Sequence, residues 1–198
     1  MSDSCEKCRS AGEKLMLKGE RCFSPKCAMV KRPYRPGAHG PTEMRGKKSE
    51  YGRQLAEKQR AKEIYGTREI QFRNYVTKAE KLSGNTAENL MRLLELRLDN
   101  VVFRFGFAVS RAHARQMVNH GLIKLNGKKV NIPSYTVKEL DQIEPKKKES
   151  FFEIKSEHCP SWMEFDKKNL KGKINHLPIR EEIDTPINEN LIIEFYSR

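Results

Sequence analysis

Four of the chain's five cysteines fall within its first 27 residues, as Cys5-x2-Cys8 and Cys22-x4-Cys27 separated by thirteen residues. Two close thiol pairs joined by a short connection can offer four thiolates at tetrahedral corners, and zinc is the ion that such a donor set suits first. Spacing alone leaves an iron–sulfur cluster open as the other four-cysteine occupant. Two disulfides would use the same residues in an oxidising compartment. The opening residues, Met1-Ser2-Asp3-Ser4-Cys5, carry no apolar signal core, and no apolar run approaches the roughly 18–20 residues of a membrane span. The expectation is therefore a reducing, intracellular setting in which metal outranks disulfide. The segment is punctuated by Gly and Pro and has little to bury, so a bound metal would supply folding free energy that a core cannot. Cys159, beside Pro160, lacks a ligand-spaced partner and reads as an ordinary thiol.

The charge pattern names the partner. Net charge is +13 and the sequence pI is about 9.6. Residues 1–148 hold 32 Lys and Arg against 16 Asp and Glu, whereas residues 149–198 hold 7 against 10. A polyanion is thus met by the first three-quarters of the chain, and the acidic tail is suited to packing on protein. Charged residues make up 33% of the chain against roughly 25% in a typical domain, which predicts small cores with charged faces rather than one large core. A membrane surface also attracts cations, but no long apolar face accompanies the basic one. Nothing in the sequence points to a homo-oligomer.

These residues need elements to position them. Three prolines and two glycines within residues 33–41 exclude a regular helix, and with Lys31, Arg32, Arg35 and Arg45 nearby the segment reads as a basic strap laid on phosphates. His39, in the same strap, could serve as a fifth metal ligand, but four thiolates complete a site and an RNA or solvent contact suits it better. Ser49 caps a predicted helix to about Tyr65, stopped by Gly66. A second helix, about Arg68 to Leu82, puts Phe72, Tyr75, Val76 and Ala79 on one face. A third, capped by Asn85 or Thr86, carries Leu90, Leu94, Leu98 and Phe105 at helical period and ends at Gly106. Ser110 then caps a helix over Arg111–His120, with Gly121 as its left-handed terminator, Ala114, Met117 and Val118 inward, and Arg111, Arg115 and Asn119 on another face. Asn126-Gly127 predicts a tight hairpin showing Lys124, Lys128 and Lys129. Residues 110–130 contain no acid, so helix and hairpin read as one basic ledge; Lys146–Lys148 is a weaker, loop-like cluster. Near the end, Leu191–Tyr196 reads as a short strand or extended segment.

The ordered set Cys22-Phe23-Ser24-Pro25-Lys26-Cys27, Pro36-Gly37-Ala38-His39-Gly40, Gln71-Phe72-Arg73, Arg97-Leu98-Asp99-Asn100-Val101-Val102-Phe103-Arg104-Phe105-Gly106 and the Ser110–Tyr135 block resembles the S-four family of small ribosomal subunit proteins, in its cysteine-containing form. The resemblance covers nearly the whole chain. It implies an α+β, mostly helical protein: a metal-binding extension over 1–41, a helical domain over 42–90 completed by 177–198, and an inserted S-four-like RNA-binding domain over 91–176. It implies a primary binder of small-subunit ribosomal RNA that nucleates assembly, touches neighbouring small-subunit proteins such as small-subunit protein five, and influences decoding accuracy in the cytoplasm. The metal candidates are Cys5, Cys8, Cys22 and Cys27. The RNA-contact candidates are Lys31, Arg32, Arg35, His39, Arg45, Lys47, Lys48, Arg53, Arg104, Ser110, Arg111, Arg115, Lys124, Asn126, Lys128 and Lys129. Leu140 departs from the family by standing before Asp141 where glycine is frequent, and Ala87 replaces a frequent glycine near a helix start.

Two other classes fit parts of the chain. An RNA-processing enzyme would share the module at 91–150, but no nucleophile elbow, phosphate-cradling loop or metal set with an open position is present, so no enzyme is expected. A zinc-dependent DNA-binding regulator would share the cysteines, but their spacing is not that of a repeated finger, and a helix-plus-hairpin ledge is not a major-groove reader.

Overall fold

The computed structural model describes residues 3–42, 46–146, 159–166 and 168–197. The chain is a mixed α+β protein with eight α-helices and one small antiparallel sheet among the described residues. It divides into two compact units, Met1–Arg73 with Ile187–Arg198, and Asn74–Pro186. The cysteine extension is therefore part of the first unit, and the arm before residue 187 belongs to the second.

In the first unit, α1 (Ser4–Ala11), α2 (Ala28–Lys31) and a 3₁₀ turn at Gly19–Cys22 precede α3 (Glu50–Ile64). Ser49 caps α3 as its sequence predicts, its hydroxyl accepting the Gly52 N–H at 3.1 Å. The extension is fastened to α3 by the Lys7–Glu63 pair and by Arg60 on Glu13 at 2.7 Å. The chain's end forms α8 (Glu189–Tyr196), not the strand its apolar run suggested. Helical period places Ile192, Phe195 and Tyr196 on one face, where a strand would split Phe195 from the other two. That face closes over Lys58, which is 5% exposed, lies 4.5 Å from the Phe195 ring centroid and pairs with Glu69 at 2.5 Å. Burial and the Glu69 carboxylate together push the Tyr196 phenol well above its ordinary range. The cation thus seats the helix by contact with both rings as well as by charge.

α4 (Glu69–Glu80) leads into the second unit, with Tyr75, Val76 and Ala79 buried as the periodicity requires. Next come α5 (Thr86–Glu95), capped by Asn85 on the Ala87 N–H, α6 (Leu98–Arg104) and α7 (Arg111–Asn119). The sequence reads one helix through to Phe105, but the structure breaks it at Leu96–Arg97. There the Leu96 carbonyl takes the Val137 N–H at 2.9 Å and Leu98 N–H donates to the Tyr135 carbonyl at 2.8 Å. The extended backbone at the break buries Arg97 instead of letting its side chain continue the helix surface.

The sheet order is β2-β1-β3-β5-β4, built from β1 (Ile123–Leu125), β2 (Lys128–Val130), β3 (Gln142–Pro145), β4 (Met163–Asp166) and β5 (Lys171–Ile174), all antiparallel. Asn126 and Gly127 both have positive φ, 49° and 77°, as a primed two-residue turn demands. Leu140 also has positive φ, 65°, in the left-handed region that favours glycine, and the turn is held by Asp141 accepting the Lys138 N–H at 2.8 Å. Ile123, Leu125, Ile143 and Ile174 face Leu98, Phe105, Val118 and Trp162 in one core. β3, β4 and β5 are four residues each, too short for their alternation to stand out from the charged sequence around them, which is why the sequence showed only the hairpin.

Gly172 lies under Phe105: a Cβ there would stand 2.4 Å from the ring. Gly172→Ala is expected to lower stability by about 1–3 kcal/mol through overpacking, read as a shifted urea midpoint. An unchanged midpoint would show that the ring moves aside without cost.

Candidate nucleic-acid interface

The interface is built over a buried polar network in the second unit. Arg97 is fully buried and grips Asp99 with two nitrogens, at 3.0 and 2.6 Å, while a third donates to the Tyr75 hydroxyl at 2.9 Å. Desolvation works against its charge, but the adjacent Asp99 carboxylate and Tyr75 outweigh it and hold the guanidinium pKa above its ordinary range. Glu95, also fully buried, takes two bonds from Arg104, at 3.0 and 2.9 Å, and one from Asn100 at 2.7 Å. Arg104 reaches on to Asp184 at 2.6 Å and Thr185 at 3.1 Å.

This network holds the two arginines of α7. Arg111 Nε donates to Asn100 at 2.8 Å and its guanidinium lies 4.6 Å above the Phe103 ring centroid. Arg115 reaches Asp99 at 3.5 Å. Both are half-exposed, with part of each side chain anchored before any ligand arrives, which reduces the ordering cost of binding. The helix forms here because Ser110 caps it, accepting the His113 N–H at 3.2 Å, while Ala114, Met117 and Val118 bury the opposite face.

Several candidates are placed differently from their expectation. Arg104 is 8% exposed and belongs to the buried network, so it is a structural cation and not a surface contact. Its position on α6, opposite the glutamate that ends α5, draws it inward. Ser110 is buried and its hydroxyl is used as the helix cap. Asn126 is a turn residue: its amide donates to Asp141 at 2.7 Å and its oxygen takes the Gln142 N–H at 2.8 Å. Lys124 stands across from both Lys129 and Glu144, so this face of the sheet carries an acid that the local sequence lacked. Lys128 pairs with Leu125 and so projects from the hairpin's other face, although it is exposed. The acid-free ledge of the sequence thus becomes a cationic surface underlain and edged by carboxylates from Glu95, Asp99 and Glu144. His113 and Gln116 on α7, and His120 at its C-cap, are exposed alongside Asn119; inverting the buried face of the helix finds them.

In the first unit, Lys31, Arg32, Arg35, His39, Lys47, Lys48 and Arg53 are all exposed, with Arg53 paired to Glu50. Arg45, Lys147 and Lys148 lie outside the described residues. The strap is fixed at one point by Arg9, which donates to the carbonyls of Tyr34 and Arg35 at 2.8 and 3.0 Å and stacks on the Tyr34 ring. Gly40 closes it, since a Cβ there would meet the Arg35 carbonyl at 1.9 Å. Arg9 carried no sequence signal, because its partners are backbone groups 25 and 26 residues away.

The four N-terminal cysteines line one small cavity of about 10 Å³, together with Leu17, Lys18 and Met29. Cys8, Cys22 and Cys27 are buried, and all five cysteines are free thiols. The Lys18 N–H donates to the Cys22 sulfur at 3.4 Å. Burial, and then the neighbouring Cys22, Cys5 and Cys27, push the Cys8 thiol up against an opposing backbone bond at Leu15. The donor chemistry fits a thiophilic ion, but among the described residues no three His, Cys, Asp or Glu side chains stand in closed ligand geometry. His39 is not among the cavity's lining residues.

The helices α6 and α7 with the basic hairpin make this a small RNA-binding-type module of the S4 class: residues 96–143 match the S4 domain, and residues 1–95 match the ribosomal protein S4/S9 N-terminal domain. Over 98% of its length the chain is 54% identical to the small ribosomal subunit protein uS4 of Caldicellulosiruptor saccharolyticus, covering 96% of that protein. It is likewise 54% identical to uS4 of Dictyoglomus turgidum and 50% identical to uS4 of Thermodesulfovibrio yellowstonii, at the same coverage. The chain belongs to the small ribosomal subunit protein uS4 family.

Removing one member of a buried ion pair leaves an uncompensated charge, at a cost of about 3–5 kcal/mol. Glu95→Ala is expected to destabilise by that amount in denaturant unfolding. Lys124→Ala, on the surface, is expected to change stability by less than about 0.5 kcal/mol.

Proposed function

We propose that this chain is a structural constituent of the small ribosomal subunit that binds its ribosomal RNA, contacts neighbouring small-subunit proteins and works in the cytoplasm on the ribosome. The observation that carries the reading is the full-length similarity to uS4 proteins, at 50–54% identity with no large unmatched segment. The tethered arginines of α7, the hairpin lysines and the exposed cations of the strap support it. No helix among the described residues is long and apolar enough to cross a membrane.

RNA recognition here rests on shape and phosphate. A-form helices hide their base edges in a deep major groove, so a rigid cationic surface reads the spacing of phosphates at a folded junction. Arg111 and Arg115 are the residues of highest value, because the buried network fixes their positions. Early, tight binding of this kind is the property by which such a protein would nucleate assembly. Influence on decoding accuracy, and contact with small-subunit protein five, belong to the same reading. The role is a binding one, without turnover.

The proposal extends to one zinc ion held by Cys5, Cys8, Cys22 and Cys27. Shared lining of one cavity, burial of three thiols and the N–H bond to the Cys22 sulfur support it. The ion would act as a cross-link for the extension, whose segments have little apolar core of their own.

For about 6–10 neutralised phosphates, raising salt from roughly 50 to 200 mM is expected to weaken binding to small-subunit RNA by about 10³–10⁵. Filter binding against other structured RNAs and duplex DNA checks this; salt-independent affinity, or equal preference for DNA, would sink the reading. Arg111→Ala with Arg115→Ala is expected to reduce affinity while the chain stays folded by circular dichroism. Elemental analysis of the purified chain is expected to find one zinc per chain. Cys22→Ser is expected to release it and loosen residues 1–40 while the module at 97–135 still binds RNA.

A further inference from the structure

Among the described residues, the most exposed large apolar side chain is Phe23, at 77%. It sits in the turn between Cys22 and Cys27, which are 8% and 7% exposed and both line the cysteine cavity. The turn is closed by its own hydrogen bonds: Phe23 N–H to the Glu20 carbonyl at 3.0 Å, the Ser24 hydroxyl to the Arg21 carbonyl at 3.0 Å, and Cys27 N–H to the Ser24 carbonyl at 3.0 Å. A ring held outward on a braced six-residue turn is presented, not merely left over.

Its surroundings select the partner. Residues 21–32 contain Arg21, Lys26, Lys31 and Arg32 and no acid, and all four cations are exposed. The sequence neighbours of Phe23 are Arg21 before the turn and Ser24, Pro25 and Lys26 on it, and its two cations complement phosphate, with Glu20 the one exposed acid close by in sequence. An exposed aromatic flanked by cations is how proteins hold an unpaired base, with the face on the ring and the flanking phosphates on Lys and Arg.

We propose that Phe23 is a stacking platform for one unpaired base of the small-subunit RNA, flanked by Arg21 and Lys26 on the adjoining phosphates. This rests on the RNA-binding reading above and adds a contact to it that is neither phosphate-directed nor located on the S4 module.

The test uses the full-length chain and small-subunit ribosomal RNA. Loss of one base stack corresponds to roughly a 5- to 150-fold weaker Kd, so Phe23→Leu, which keeps an apolar side chain but has no π face, is expected to weaken binding by about 10-fold or more. Phe23→Trp is expected to retain or tighten binding. The salt slope is expected to stay that of the wild type in both variants, whereas Arg21→Ala lowers it by about one. Dimethyl sulfate probing is expected to find an unpaired base protected by the wild type and by Phe23→Trp but exposed with Phe23→Leu. Tight, salt-dependent wild-type binding that Phe23→Leu leaves unchanged would overturn the stack and leave the RNA-binding reading standing. Normal RNA affinity combined with failure of Phe23→Leu to enter the assembled subunit would assign the ring to a protein neighbour and overturn it equally. Absence of RNA binding by the wild type would remove both.

Discussion

Two buried ion pairs, Arg97–Asp99 and Arg104–Glu95, set the terms for the second unit. Buried charge is tolerated only when every donor and acceptor is matched. Here Tyr75, Asn100, Thr185 and Asp184 complete the matching. The consequence is geometric. Residues 95, 97, 99, 100 and 104 must all face one another, so α5 cannot run on into α6, and the break at Leu96–Arg97 follows. The same network then reaches out through Asn100 and Asp99 to Arg111 and Arg115. A surface that must meet a rigid anionic lattice is thus braced from beneath by carboxylates that never touch the ligand.

The first unit solves the same problem with fewer buried atoms. Its extension has thiols, one tethering arginine and two ion pairs onto α3 where the second unit has an apolar core. Its last helix is seated by Lys58, held between a carboxylate and two aromatic rings. In both units some cations are buried in structural pairs and others stand exposed to solvent, and type alone does not separate the two. Arg104 and Lys58 are buried; Arg32 and Lys129 are exposed.

Local rules made much of this legible in the sequence. Ser49, Asn85 and Ser110 are caps because a side-chain oxygen one or two bonds from Cβ reaches the orphan N–H groups of a first turn, whatever lies beyond. Asn126-Gly127 is a hairpin turn because positive φ at two successive positions selects those residues. The buried faces of α4 and α7 followed from period. The misreadings were of another kind. Leu191–Tyr196 is apolar at nearly every position, so both periods fit it, and only α3 with Lys58 decided for helix. The charges of 110–130 looked unopposed because the acids beside Arg115 and Lys124 sit at 99 and 144.

The sequence by itself therefore determined the caps, the helices α3, α4 and α7, the Asn126-Gly127 turn, the cysteine pairs and the sign of the partner, all of which depend on residues within a few positions of one another or on their simple sum. Only the tertiary structure decided which cations are presented and which are consumed, that four thiols share one cavity, and that Phe23 stands exposed on a braced turn. Those outcomes depend on desolvation, and a side chain's desolvation is set by what the rest of the chain brings against it, not by its neighbours in sequence.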